Sequence, residues 1–237
     1  MDVFDISKKN KINIIAYLII LSITSISYYL MVSLRVDGYN PSLYKYAYIY
    51  FNGFSMLLFT LIMLFWDINY TYINIYLKII IESLIASLSA VPIILIIFML
   101  GQLNKVNIFI PLIIQSLWGT VILSIKNISN KYKNKNFFIG MFIFITIVLS
   151  SVYLFFYTNY ANIVLTTIYD KDIPIIFFLN PLINIVGISY SQMIDNQMGY
   201  YPVICYLVFW GMVVLIFNIL DLKFNKVNSS KEGGQNL

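Results

Sequence analysis

The sequence predicts an all-α polytopic membrane protein: six transmembrane helices, with a re-entrant helical hairpin between the fifth and the sixth. Three observations predict it. Hydrophobic residues make up 60% of the 237 and charged residues only 11%, far from the balance of a soluble domain. Six apolar runs approach or exceed the roughly 20 helical residues, at 1.5 Å each, that cross a hydrocarbon core about 30 Å thick. The basic residues fall mostly on one side of those runs.

Five runs meet the length easily: Ile12 to Leu34, Tyr46 to Trp66, Leu77 to Leu100, Val106 to Ile125 and Phe137 to Tyr157. The sixth, Pro202 to Leu220, is shorter but unbroken, and Pro202 suits the first position of a helix. No small-residue cleavage site follows the first run, so it is expected to remain as a helix. Pro92 and Pro111 are expected to bend the third and fourth helices. The domain reading is one six-helix transmembrane unit over 1–222 and a polar tail over 223–237, expected to be disordered. The segments outside the spans are too short for a soluble catalytic or nucleotide-binding domain.

The stretch 173-IPIIFFLNPLINIVGIS-189 decides the topology. If it does not cross, Lys8, Lys9, Lys11, Lys78, Lys126, Lys131, Lys133, Lys135, Lys223, Lys226 and Lys231 lie inside or at the inner boundary, and only Arg35, Lys45, Lys105 and Lys171 lie outside. That asymmetry follows the positive-inside rule and places both termini in the cytoplasm. A seventh crossing would export the three tail lysines. It would also need a helix that Pro181 breaks and that reaches only about 25 Å even if unbroken. The stretch therefore reads as two short helices that meet at Asn180-Pro181, dip into the outer leaflet and leave again. Backbone of that kind is tolerated at membrane depth only where protein covers it or where it lines a wet cavity. Tyrosines gather at the outer span ends, among them Tyr28, Tyr44, Tyr153 and Tyr201, as amphipathic rings do at headgroup level.

The absence of histidine excludes HExxH metalloprotease sites and Ser-His dyads. No GxxxxGK[ST] or CxxC motif is present, and Cys205 is the single cysteine. Catalytic and metal sites, and nucleic-acid binding, are therefore not expected. Glu82 is the one carboxylate inside a run, where a charge costs several kcal/mol and is commonly functional. Lys78, four residues earlier, offers it a structural partner instead. A stripe of small and polar residues, Glu82, Ser83, Ala86 and Ser89, lies on the third helix, and Gln115 and Gly119 lie on the fourth. It reads either as close helix packing or as a polar translocation surface. The inner loop 67-DINYTYINIYLK-78 has Asp67 available to cap a brief helix.

Six spans, cytoplasmic ends, a short inner loop between spans two and three and the element 179-LNPLINIVGIS-189 together resemble the permease subunit of a type-2 ABC exporter, in the size class of lantibiotic-immunity and bacterial peptide-export permeases. The resemblance implies a multi-pass cell-membrane protein that moves an amphipathic peptide or lipid-like substrate. It further implies a cytoplasmic ABC ATPase partner that supplies ATP and Mg, a second permease chain alike or different, and no cofactor or enzymatic activity in this chain. The ATPase-coupling element would fall on Asp67, Asn69, Tyr70, Thr71, Tyr72 and Ile73, although the Gly-Thr pair common there in the family is absent. Two alternatives stay open: a six-helix substrate-binding subunit of a small-molecule importer, and a non-transport accessory membrane protein.

Overall fold

The structure is a computed structural model in which residues 6–35, 39–68, 75–103, 107–130, 135–156, 175–194 and 200–233 are described. Six helical segments are long and apolar enough to cross a membrane: Lys8–Leu34, Pro41–Phe65, Ile75–Leu100, Phe109–Ser129, Phe137–Phe156 and Tyr201–Leu222. Among the described residues there is no strand. The elements are α1 (Lys8–Arg35), α2 (Pro41–Phe65), α3 (Ile75–Leu88), α4 (Val91–Leu100), α5 (Phe109–Ser129) and α6 (Lys135–Ile143). A π-helical segment (Phe144–Leu149) continues α6. A 3₁₀ segment (Ile175–Leu179), α7 (Pro181–Ile194) and α8 (Tyr201–Gly233) follow.

The core lies around α2 and α5. Met56, Phe59 and Met63 of α2, and Ile114, Trp118, Val121, Ile122 and Leu123 of α5, are wholly buried. α3 and α8 pack on α5, and α1 and α7 pack on α2. The rim is apolar too: Ile12, Ile15, Ile19, Ile23 and Ile26 of α1, and Phe137, Phe144, Val148 and Val152 of the fifth span, are exposed. An apolar exterior over an equally apolar interior suits a chain whose solvent is hydrocarbon.

α2 starts where the sequence signals it. Asn40 Oδ1 accepts from the Ser42 amide at 3.0 Å, and Pro41 occupies the first turn, where its missing N–H leaves nothing bare. The third span bends as expected, as a break at Ser89-Ala90 between α3 and α4. Pro92 has no amide for the Leu88 carbonyl, so the ladder stops there and restarts with Ile93 and Ile94 bonding to Ala90 O. The expectation for Pro111 is corrected: it sits in the first turn of α5, where proline starts a helix rather than bending one. The helical backbone of α8 also continues through the segment read as a disordered tail, as far as Gly233. Nothing in 223–232 breaks a helix, and Gly233-Gly234 is the first strong stop. Residues 234–237 lie outside the described ones.

α4 closes on a Schellman motif. Leu103 N donates to Phe98 O and Gln102 N to Met99 O, while Gln102 holds φ at 50°. The left-handed position falls on Gln102 although a glycine stands next to it, and Leu103 just beyond is buried. Replacing Gln102 by Gly should relieve part of the roughly 1–2 kcal/mol left-handed penalty, offset in part by glycine's backbone entropy. A higher Tm in lipid nanodiscs is the expected outcome; an unchanged or lower Tm would place the strain elsewhere.

Candidate functional site

Glu82 is buried one turn above Lys78 on α3. Lys78 Nζ lies 3.7 Å from Glu82 Oε1, as the i, i+4 spacing allows, and both side chains are almost completely enclosed. The other carboxylate oxygen accepts from Trp66 Nε1 at 2.5 Å. Trp66 is the residue at which α2 ends, so the carboxylate ties the C-terminal end of α2 to α3. Lys126 of α5 donates to the Leu64 carbonyl at 2.6 Å and also to that of Trp66. Its cation therefore closes the α2 C-terminus, which carries unpaired carbonyls and a negative dipole end. Asn10 completes the junction, donating to Asp67 O at 2.7 Å and accepting from Asp67 N at 2.8 Å. This is a fastening between four helices. Among the described residues no group of three His, Cys, Asp or Glu gathers to hold a metal.

Part of the small-residue stripe forms a tight seam between α3 and α5. Ser83 Oγ donates to Ser116 O at 2.5 Å, and a Cβ at Gly119 would meet the Phe59 ring at 2.8 Å as well as Ser83 Oγ. Ala86 is buried beside them, and Ser89 Oγ turns back to Ala86 O at the helix break. Gln115 does not join Glu82. Its Nε2 donates to Tyr17 Oη at 2.7 Å, and Tyr17 in turn shares a hydrogen bond with Ser55 Oγ. Of the inner-loop residues, Asp67 is exposed at its side chain with its backbone held by Asn10. Asn69, Tyr70, Thr71, Tyr72 and Ile73 lie outside the described residues, and so does any brief helix that Asp67 would cap.

The Asn180-Pro181 element carries a dense set of hydrogen bonds. Asn180 Oδ1 accepts from the Leu182 amide at 2.8 Å and lies 3.4 Å from that of Ile183, capping α7, while Pro181 brings no amide that needs a partner. The carbonyls before the turn are also satisfied. Phe177 O takes the Asn180 amide, Phe178 O takes Asn184 Nδ2 at 2.8 Å, and Leu179 O takes Trp210 Nε1 at 2.8 Å. Asn180 Nδ2 reaches across to Ile147 O at 3.1 Å, Ser150 Oγ at 2.7 Å and Ser151 Oγ at 2.9 Å. Ile147 belongs to the π-helical segment, whose widened ladder presents carbonyls to a neighbour. Ile147 and Trp210 lie close to the midpoints of the spans Phe137–Phe156 and Tyr201–Leu222, so the turn sits half-way along the bundle.

Two hollows accompany these networks. A shallow groove of about 750 Å³ between α3, α5 and α8 has apolar walls, including Leu84, Ile113 and Leu215, over Ser87, Ser116 and Thr120. A smaller cavity of about 160 Å³ between α1, α2 and α4 is lined by Tyr28, Tyr29, Tyr44, Phe51 and Phe54.

Sequence reasoning found Lys78 for Glu82 and the capping role of Asn180, but missed Trp66 as the second partner of Glu82, the fifth-span partners of Asn180, and Asp221 altogether. Asp221 is buried, and its Oδ2 accepts from Tyr76 Oη at 3.0 Å and from Asn127 Nδ2 at 3.2 Å, joining α8 to α3 and α5. The one available signal was a lone acid just past the end of the sixth run.

If the Lys78–Glu82 pair is a fastening, Glu82→Leu alone should cost about 3–5 kcal/mol by leaving a buried cation without its carboxylate. Lys78→Met with Glu82→Leu should recover most of that loss. Thermal unfolding in nanodiscs measures both; a double variant as unstable as the single would show that the pair is not the stabilising unit.

No family model, no curated protein and no solved structure matches the chain, so the reading of these sites rests on their own residues.

Proposed function

We propose that the chain is the transmembrane permease subunit of an ATP-driven ABC exporter, moving an amphipathic peptide or lipid-like substrate. The observation that carries this reading is the Asn180-Pro181 turn, placed between the last two spans and half-way along them, in a bundle with little chain outside its helices. On this reading 173–189 is a re-entrant hairpin. In support, Phe177 stacks on Tyr153 and Asn180 bonds to Ile147, so the first leg runs inward against the fifth span. Asn184 Nδ2 then meets Pro202 O at the start of α8, so the second leg heads back toward that same end.

The rest of the proposal follows from the charge pattern and from what the chain lacks. Both termini are cytoplasmic in a bacterial cell membrane, by the lysine asymmetry. The chain is not itself an enzyme: ATP and Mg bind to a separate cytoplasmic ATPase, docked at 67–78, and a second permease chain completes the path. Antimicrobial-peptide immunity is the physiological role that fits an exporter of this size. A second reading, the substrate-binding subunit of a small-molecule importer, draws on the tyrosine-lined cavity between α1, α2 and α4. It calls for tight binding of a small ligand by the chain purified alone.

Two experiments test the exporter. Co-expressed with its ATPase, the tagged chain should purify as a complex that hydrolyses ATP, and Tyr72→Ala with Ile73→Ala should remove the ATPase while leaving the permease in the membrane. A chain that purifies without any ATPase sinks the proposal. For topology, in a Cys205→Ser background, cysteine at Ser229 should react only from the cytoplasmic side and cysteine at Asp172 or Asp195 only from outside. Asn180→Leu with Pro181→Leu should make 173–188 a continuous apolar run and move part of the population to a seven-span form with an external C-terminus. A tail that stays internal in that variant would show that the Asn-Pro break does not set the topology.

A further inference from the structure

Three buried polar groups without partners among the described residues lie on or beside one seam, between α2 and α7. The two helices touch closely. A Cβ at Gly53 would lie 3.2 Å from Val186 and 3.7 Å from Leu182, and Asn52 Nδ2 donates to Ser189 Oγ at 3.1 Å. Residue numbers rise along α7 as they fall along α2, so the pair is antiparallel. One further turn sets Gln192, three residues after Ser189, opposite Tyr48, four residues before Asn52. Tyr48 is wholly buried; the Asn52 side chain, four residues on, lies near its hydroxyl, which still makes no hydrogen bond of good geometry among the described residues. Gln192 as a residue is half-buried, yet both its Nε2 and its Oε1 are buried and likewise bare. Nearer the turn, Asn184 Oδ1 is bare as well.

The other deeply buried tyrosines differ. Tyr17 Oη is bonded to Ser55 and Gln115, and Tyr206 Oη donates to Ile114 O. Ser124 Oγ of α5 is buried and bare as well, whereas the carbonyls just before the Asn180 turn are bonded. Unpaired polar atoms in a medium without water are costly, and native interiors remove that cost with a protein partner or with ordered water. The Gln192 amide and the Tyr48 hydroxyl cannot satisfy one another completely, because a single bond between them leaves at least one amide proton over. With the Asn52–Ser189 pair one turn below, they offer the two to four polar partners that a bound water needs.

We infer that the α2–α7 seam is a hydrated site, holding ordered water between Tyr48, Asn52, Ser189 and Gln192 at a depth where the surrounding bundle is dry. The inference stands on the seam itself and does not require the exporter reading. Hydroxyl-radical labelling by X-ray radiolysis tests it, because radicals formed from a bound water oxidise the side chain that touches it. With the full chain in lipid nanodiscs, Tyr48 should be oxidised several-fold faster than Tyr17 and Tyr206, equally buried controls whose hydroxyls have protein partners. Equal protection of all three tyrosines overturns the proposal. The double variant Tyr48→Phe, Gln192→Leu supplies a second measurement. Removing polar groups that bind water should leave Tm unchanged or lower, whereas removing bare groups from a dry seam should raise it, and a rise overturns the proposal too.

Discussion

A single carboxamide, that of Asn180, makes it possible for this chain to break a helix in the middle of an apolar bundle. Hydrocarbon offers nothing to a bare amide or carbonyl, and each unsatisfied group there costs several kcal/mol. Breaking a helix at Pro181 exposes such groups on both sides of the break. Asn180 Oδ1 covers the first amides of α7, and Nδ2 turns to the π-helical segment and to Ser150 and Ser151. The same residue thus permits the turn and holds the fifth span to it. That span buries little else: among its described hydrophobic residues only Ile139 and Ile147 are buried. Its remaining attachments include Phe142, stacked on Trp118 and edge-on to Trp210, and Tyr153, stacked on Phe177.

The same rule accounts for the end of the bundle at which α2 stops. α2 terminates inside a cluster of side chains, where Lys126 covers its last carbonyls, Asn10 pairs with the backbone of Asp67 and the Trp66 indole donates to Glu82. Glu82 is tolerated because Lys78 and Trp66 meet both of its oxygens. Charge and small size are here put to assembly. Gly119 lets α5 approach Ser83 and Phe59 more closely than any side chain would permit. Part of the polar surface that remains incompletely satisfied lies on the far side of α2, against α7.

What could be read from the chain one residue at a time was local or cumulative. Apolar length set the number of spans, because a bilayer imposes one distance on every crossing. The i, i+4 spacing placed Lys78 beside Glu82, and a proline after an asparagine marked both the stop of one helix and the cap of the next. Local rules also misled. Pro111 reads as a bend from its place inside an apolar run, whereas α5 begins beside it. Composition reads 223–237 as a polar tail, whereas the helical backbone of α8 runs on to Gly233.

The sequence by itself determined that the chain is helical, how many membrane-length helices it has and where an apolar stretch must break, since these depend on length, periodicity and backbone chemistry along the chain. Only the tertiary structure decided which polar groups meet. Trp66 with Glu82, Asn180 with Ile147, and Asp221 with Tyr76 and Asn127 are contacts between helices remote in sequence. In an apolar bundle almost every helix face is greasy enough to pack against any other. The choice of neighbours therefore falls to a few hydrogen-bonding side chains and close-packing glycines, whose partners carry no signal until the helices are side by side.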